Sequence, residues 1–175
     1  RTSDLPLLVY YFPEICPAIA SRAQLDELLE IPGVVGLKYT DFDLYKLATI
    51  KSTGVAVFNG RDEVLAAGLL MGADGGIGTF YNLVPELFVE LYRLTRTQQW
   101  QEARAVQMKI NELIRLTLRF PALQAVKQML TWSGIDCGPC LGPQPVLTND
   151  QRRQLRQALA ASSFADCQFA GVGSC

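Results

Sequence analysis

The chain alternates short apolar runs with stretches whose apolar residues recur at helical spacing. Leu7-Leu8-Val9-Tyr10-Tyr11 is continuous and closed by Pro13 and Pro17, as expected of a buried parallel strand. Ser21 and Gln24 form a capping-box pair, and Leu25, Leu28 and Leu29 give the following helix an apolar face up to Pro32. Val34 to Lys38 predicts a second strand. Thr40 and Asp43 are spaced to cap a helix carrying Leu44, Leu47 and Ile50. Gly54 to Phe58 predicts a third strand, after which Asp62 and Glu63 open a helix through Leu65, Leu69 and Leu70. Ala73 to Gly78 is a last, very short strand.

From Pro85 the pattern is wholly helical. Leu87, Phe88, Leu91 and Leu94 share one face, and Val106, Ile110, Leu113, Ile114 and Leu118 form the next stripe. A third helix spans about Leu123 to Trp132, and Thr148 with Gln151 caps a final one through Leu155 and Leu159. Strands alternating with helices every 20 to 28 residues or so imply a parallel sheet of βα units. A (β/α)8 barrel takes roughly 250 residues, so four units amount to half a barrel. The expected organisation is an α/β fold. Residues 1–82 form half-barrel βα units, 83–161 are barrel-closing and C-terminal helices of the same domain, and 162–175 are a flexible tail.

Composition narrows the function. The chain has 175 residues, 49% of them apolar, a net charge of −1 and no histidine. No basic run interleaves with aromatics, which argues against nucleic acid. No segment has the length of a membrane span or the form of a signal peptide, so a cytoplasmic protein is expected. The first residue, Arg1, is not an initiator methionine, and the opening suggests a piece of a longer protein. Five cysteines, at 16, 137, 140, 167 and 175, do not suit a secreted disulfide framework. Cys137-Gly138-Pro139-Cys140 has redox-motif spacing but follows a helix rather than a strand. It therefore reads first as a structural turn, with a redox or metal role as the alternative.

Barrel chemistry sits at the C-terminal ends of the strands. Those ends carry Tyr10, then Lys38 and Thr40, then Gly60 with Asp62 and Glu63, then Gly78 with Thr79. Desolvation favours the neutral form of a lysine, and a neutral amine attacks carbonyl carbon to give a Schiff base. Each residue also has a plain structural reading. Lys38 can snorkel, Tyr10 can fill core, and Asp62 and Glu63 suit a helix N-terminus. Thr40 and Thr79 can be caps, and the glycines from 72 to 78 can serve a turn.

Tyr10-x-x-Pro13, Gly36-Leu37-Lys38-x-Thr40, Gly60-x-Asp62-Glu63 and Gly72-Ala73-Asp74-Gly75-Gly76-Ile77-Gly78-Thr79-x-Tyr81-Asn82 resemble the N-acetylneuraminate lyase/dihydrodipicolinate synthase family. These are pyruvate-dependent class I aldolases on a (β/α)8 barrel. The resemblance runs from about residue 5 to residue 145 and is to the C-terminal half of that barrel. It implies that Lys38 is the Schiff-base lysine and Tyr10 the proton relay. It further implies that Thr40, Gly60, Asp62, Glu63, Gly78 and Thr79 hold the substrate, with neither metal nor organic cofactor. The implied partners are pyruvate and a 2-keto acid, in a homotetramer. Thr40 and the Asp62-Glu63 pair follow the lyase branch. Arg61 inside the turn, Tyr11 and Thr79 depart from it and leave the sugar acid open, including 2-keto-3-deoxy-gluconate-type and dihydrodipicolinate synthase-like chemistry. The family's Gly-Thr/Ser-Thr-Gly-Glu carboxylate loop matches nothing in these residues, so the chain alone is expected to be inactive or nearly so. A non-catalytic relative that associates with a full-length subunit is the reading outside enzymology.

Overall fold

The computed structural model describes residues 4–19 and 21–170. Four parallel strands, β1 (Leu7–Tyr11), β2 (Val34–Tyr39), β3 (Ala56–Asn59) and β4 (Gly75–Gly76), lie in sequence order. Helices α1 (Arg22–Leu29), α2 (Leu44–Lys51) and α3 (Leu65–Leu70) connect them. Parallel neighbours need a crossover, and each helix supplies one. The register sets Tyr10 beside Lys38, Lys38 beside Phe58, and Phe58 beside Gly75.

Strand side chains alternate between faces. Tyr11, Leu37, Tyr39 and Val57 pack with Leu25 of α1 and Leu47 and Ile50 of α2 into one buried cluster. Tyr10 and Lys38 therefore face the other way, and Tyr10 is 56% exposed. Four helices follow: α4 (Pro85–Arg96), α5 (Trp100–Thr117), α6 (Ala122–Trp132) and α7 (Asn149–Ala160). The chain divides into two compact units. The first takes the residues up to Gly78 with Glu90–Gln107, and the second takes Thr79–Val89 with the residues from Met108 on. α4 and α5 each contribute to both units.

The capping boxes at Ser21/Gln24 and Thr148/Gln151 form as expected. Other details differ. Thr40 is buried in the sheet layer, and Asp43 alone caps α2, its carboxylate accepting from the Lys46 amide at 2.8 Å. Asp62 and Glu63 open a single 3-10 turn (Asp62–Val64) ahead of α3. Leu118, placed on the α5 stripe by periodicity, falls just past the end of that helix and is exposed. The largest correction concerns the tail. Residues 162–170 bury Phe164, Phe169 and Ala170, and the turn Gln168–Ala170 contacts α6 and α7. Two phenylalanines repay the ordering of a segment that its small polar residues alone would leave loose. Residues 171–175 lie outside the described residues.

Candidate active site

Backbone hydrogen bonds continue past the strand ends and fix the rim of the sheet. The Thr40 amide donates to Tyr11 O at 2.8 Å, the Gly60 amide to Tyr39 O at 2.7 Å, and the Ile77 amide to Asn59 O at 2.9 Å. These three bonds carry the register beyond β1, β2 and β3, so Tyr10, Lys38, Thr40, Gly60 and Gly78 stand on adjacent strand ends.

Lys38 is half-buried, and its Nζ lies 4.2 Å from the centre of the Tyr10 ring. An amine over an aromatic face is held electrostatically and kept on that side of the sheet. The sheet thus brings together the two residues expected to act on substrate. Next to them Thr40, 4% exposed, has a buried Oγ1 with no hydrogen-bond partner among the described residues. Such a hydroxyl is costly to leave unsatisfied, which marks it as a place for a water or ligand oxygen.

Gly60 and Gly78 are small because the rim is tight. A Cβ on Gly60 would sit 2.1 Å from Thr40 Oγ1, and one on Gly78 only 1.5 Å from Asp62 Oδ1. Asp62 is therefore packed directly on the backbone after β4. It is buried at 5% exposure, whereas Glu63 beside it is half-buried. Gln107 of α5 braces this turn, its Nε2 donating to Asp62 O at 3.0 Å and its Oε1 accepting from the Ala66 amide at 2.9 Å. Thr79 belongs to the second unit, where it is exposed and precedes the 3-10 turn Phe80–Asn82. Its side chain makes no cap there; its carbonyl accepts from Asn82 Nδ2 at 2.9 Å.

Two contributors escaped the sequence reading. Gln107 interrupts an apolar stripe between Ala103 and Ile110, which is the signal a buried polar brace leaves. Arg61 stood only as a departure from a pattern. It is ion-paired with Glu14, and its guanidinium lies 5.0 Å from the Phe12 ring centre and 4.3 Å from that of Phe42. One side chain after β3 thereby ties the segments after β1 and β2. Phe12 in turn packs against Tyr10, ring centres 5.8 Å apart.

Beneath the rim, burial drives the Tyr39 phenol far above its usual range, and the Asp41 and Asp43 carboxylates add to the effect. Burial also opposes ionisation of Asp41. The hydrogen bond from Lys46 Nζ, 3.0 Å away, and backbone amides outweigh it and leave that carboxyl below its usual value. Among the described residues, no group of three or more His, Cys, Asp or Glu side chains is placed to hold a metal ion.

A model of the dihydrodipicolinate synthetase family matches residues 1–162. The chain is 34% identical over 160 residues to an N-acetylneuraminate lyase of Rhizobium meliloti, covering 90% of this chain and 53% of that protein. CdNal from Clostridium difficile in complex with mannosamine is 27% identical, with a TM-score of 0.84 over 91% of this chain and 56% of that one. The N-acetylneuraminate lyase of Fusobacterium nucleatum complexed with pyruvate is 28% identical, with a TM-score of 0.74 over 82% and 49%. The chain thus spans about half the length of the curated relatives it matches. Its four-stranded sheet and helices match part of an aldolase (β/α)8 barrel. A family match over nearly the whole chain, on a sheet of this order, means that the chain belongs to the dihydrodipicolinate synthetase family.

Proposed function

We propose that these residues form the lysine-bearing half of a class I aldolase. The enzyme would cleave N-acetylneuraminate, or a similar 2-keto-3-deoxy sugar acid, to pyruvate and an aldehyde. The observation that carries this reading is the placement of Lys38 Nζ 4.2 Å from the Tyr10 ring, on the sheet face opposite the helix-packed cluster. Lys38 Nζ attacks the C2 keto carbon, and loss of water leaves a protonated imine. That imine accepts the electron pair released when the C3–C4 bond breaks. Tyr10 relays the proton of the C4 hydroxyl, its phenol oxygen accepting that proton as it passes its own on toward C3, so the carbonyl of the leaving aldehyde forms as the bond opens. The enamine is then protonated at C3, and hydrolysis frees pyruvate and the amine.

Thr40 Oγ1 supplies a hydrogen bond to a substrate oxygen. Asp62, Glu63 and the backbone at Gly60 and Gly78 position the polyhydroxyl tail. The family relatives named N-acetylneuraminate lyase support this branch over dihydrodipicolinate synthase-like or 2-keto-3-deoxy-gluconate-type chemistry. The working protein is a cytoplasmic homo-oligomer, a tetramer, in which the full barrel supplies the grip on the pyruvate carboxylate.

The test is borohydride reduction in the presence of pyruvate, on a protein that carries these residues in a complete barrel. A pyruvate-derived adduct on Lys38, lost in Lys38→Met, is expected. A stable, folded protein that gives no adduct at Lys38 removes the proposal.

A further inference from the structure

We infer that Cys137 and Cys140 form a reversible dithiol/disulfide site, a modification separate from the aldolase reading. The segment from Ile135 to Leu141 is neither helix nor strand, and both thiols are free. Cys137 is exposed and Cys140 half-buried, so Cys137 is the more accessible of the two to a small-molecule disulfide.

The turn between them is already curled. Gly138 adopts φ +63°, a conformation other residues avoid, and its amide donates to Asp136 Oδ1 at 2.9 Å. Lys127 of α6 sits inside the curl, its Nζ donating to both Cys137 O and Pro139 O at 3.1 Å. Two carbonyls drawn onto one ammonium hold the residues flanking Gly138 close together. Part of the entropy of closing a ring from Cys137 to Cys140 is thus lost before oxidation. The other described cysteines lack this setting. Cys167 is half-buried with its thiol pushed up mainly by burial, which makes it a poor nucleophile, and Cys16 stands alone on the surface.

The oxidant is a low-molecular-weight disulfide of the glutathione class. Cys137, as thiolate, attacks one sulfur of that disulfide and expels the other as a thiolate. Cys140, as thiolate, then attacks the Cys137 sulfur of the mixed disulfide and expels the second thiolate. The protein dithiol loses two electrons and two protons, and the small disulfide becomes two thiols. The new bond pins the start of the connection from α6 to α7.

The experiment equilibrates the full 175-residue chain in glutathione buffers of graded ratio, quenches with an alkylating agent and maps the peptides by mass spectrometry. Cys137 and Cys140 are expected to lose two hydrogens as a linked pair, reversibly, while Cys16 and Cys167 are alkylated. Cys140→Ser is expected to retain glutathione on Cys137. Lys127→Met is expected to disfavour ring closure about tenfold, equivalent to about 30 mV for a two-electron couple. Circular dichroism checks that each variant is folded. Alkylation of both Cys137 and Cys140 at every ratio, or linkage of either to another cysteine, overturns the site. A Lys127→Met chain that closes as readily as the parent overturns the role given to the curl.

Discussion

Tyr39 is the largest side chain that is fully buried, stacked on Tyr11 with ring centres 5.4 Å apart. Its hydroxyl donates to Asp43 O at 2.8 Å, so the phenol joins β2 to the cap of α2. Tyr39→Phe removes this bond while the Asp43 carbonyl keeps its helix donor, the Leu47 amide at 3.1 Å, and is expected to cost about 0.5–1.5 kcal/mol in urea unfolding. Arg61 acts at the same scale but on the rim. Arg61→Ala unties Phe12, Glu14 and Phe42 together. Amide exchange is expected to quicken in residues 11–16 and 40–43 while α6 stays protected; equal quickening in α6 would point to global loosening instead. The Glu14 ion pair alone is too exposed to produce this, its carboxylate side chain being 68% accessible. Glu14→Gln is therefore expected to move exchange little.

At the scale of elements, the turn from β2 into α2 carries a pH signature. Asp41 has a folded-state pKa below its ordinary value, with Lys46 as the main favourable partner. A depressed carboxyl contributes stability that is complete above the unfolded value, about 4, and lost as pH falls through the folded one. The stability difference between the parent and Asp41→Asn is therefore expected to shrink by about 1 kcal/mol between roughly pH 5 and pH 2. A difference that stays flat in acid would show that the pair contributes nothing. The turn after β4 is constrained by shape rather than charge. Gly78→Ala places a methyl group where the Asp62 carboxylate lies, so Asp62 or the backbone must move. A loss of about 1–3 kcal/mol is expected in thermal or urea unfolding.

At the scale of the whole molecule, the outer edges of β1 and β4 have no partner strand among the described residues. Open edges template pairing with other strands. These 175 residues alone are expected to self-associate with rising concentration in analytical ultracentrifugation and to show little or no N-acetylneuraminate turnover. Turnover at a rate comparable to a complete lyase would mean that the carboxylate grip comes from within these residues.

The sequence by itself determined the order of elements, the caps at Ser21 and Thr148, and the strand ends bearing Tyr10 and Lys38. All of these rest on neighbours within a few positions: hydrophobic period, cap spacing and breaker residues act locally along the chain. Motif spacing also carried the family. Tertiary structure alone decided which polar groups meet across long stretches of sequence. Glu14 finds Arg61, Gln107 finds Asp62, Lys127 folds the Cys137–Cys140 turn around its ammonium, and Phe164 and Phe169 make a packed segment of an apparent tail. Such pairings depend on where the backbone brings distant segments together, and no local periodicity encodes that distance.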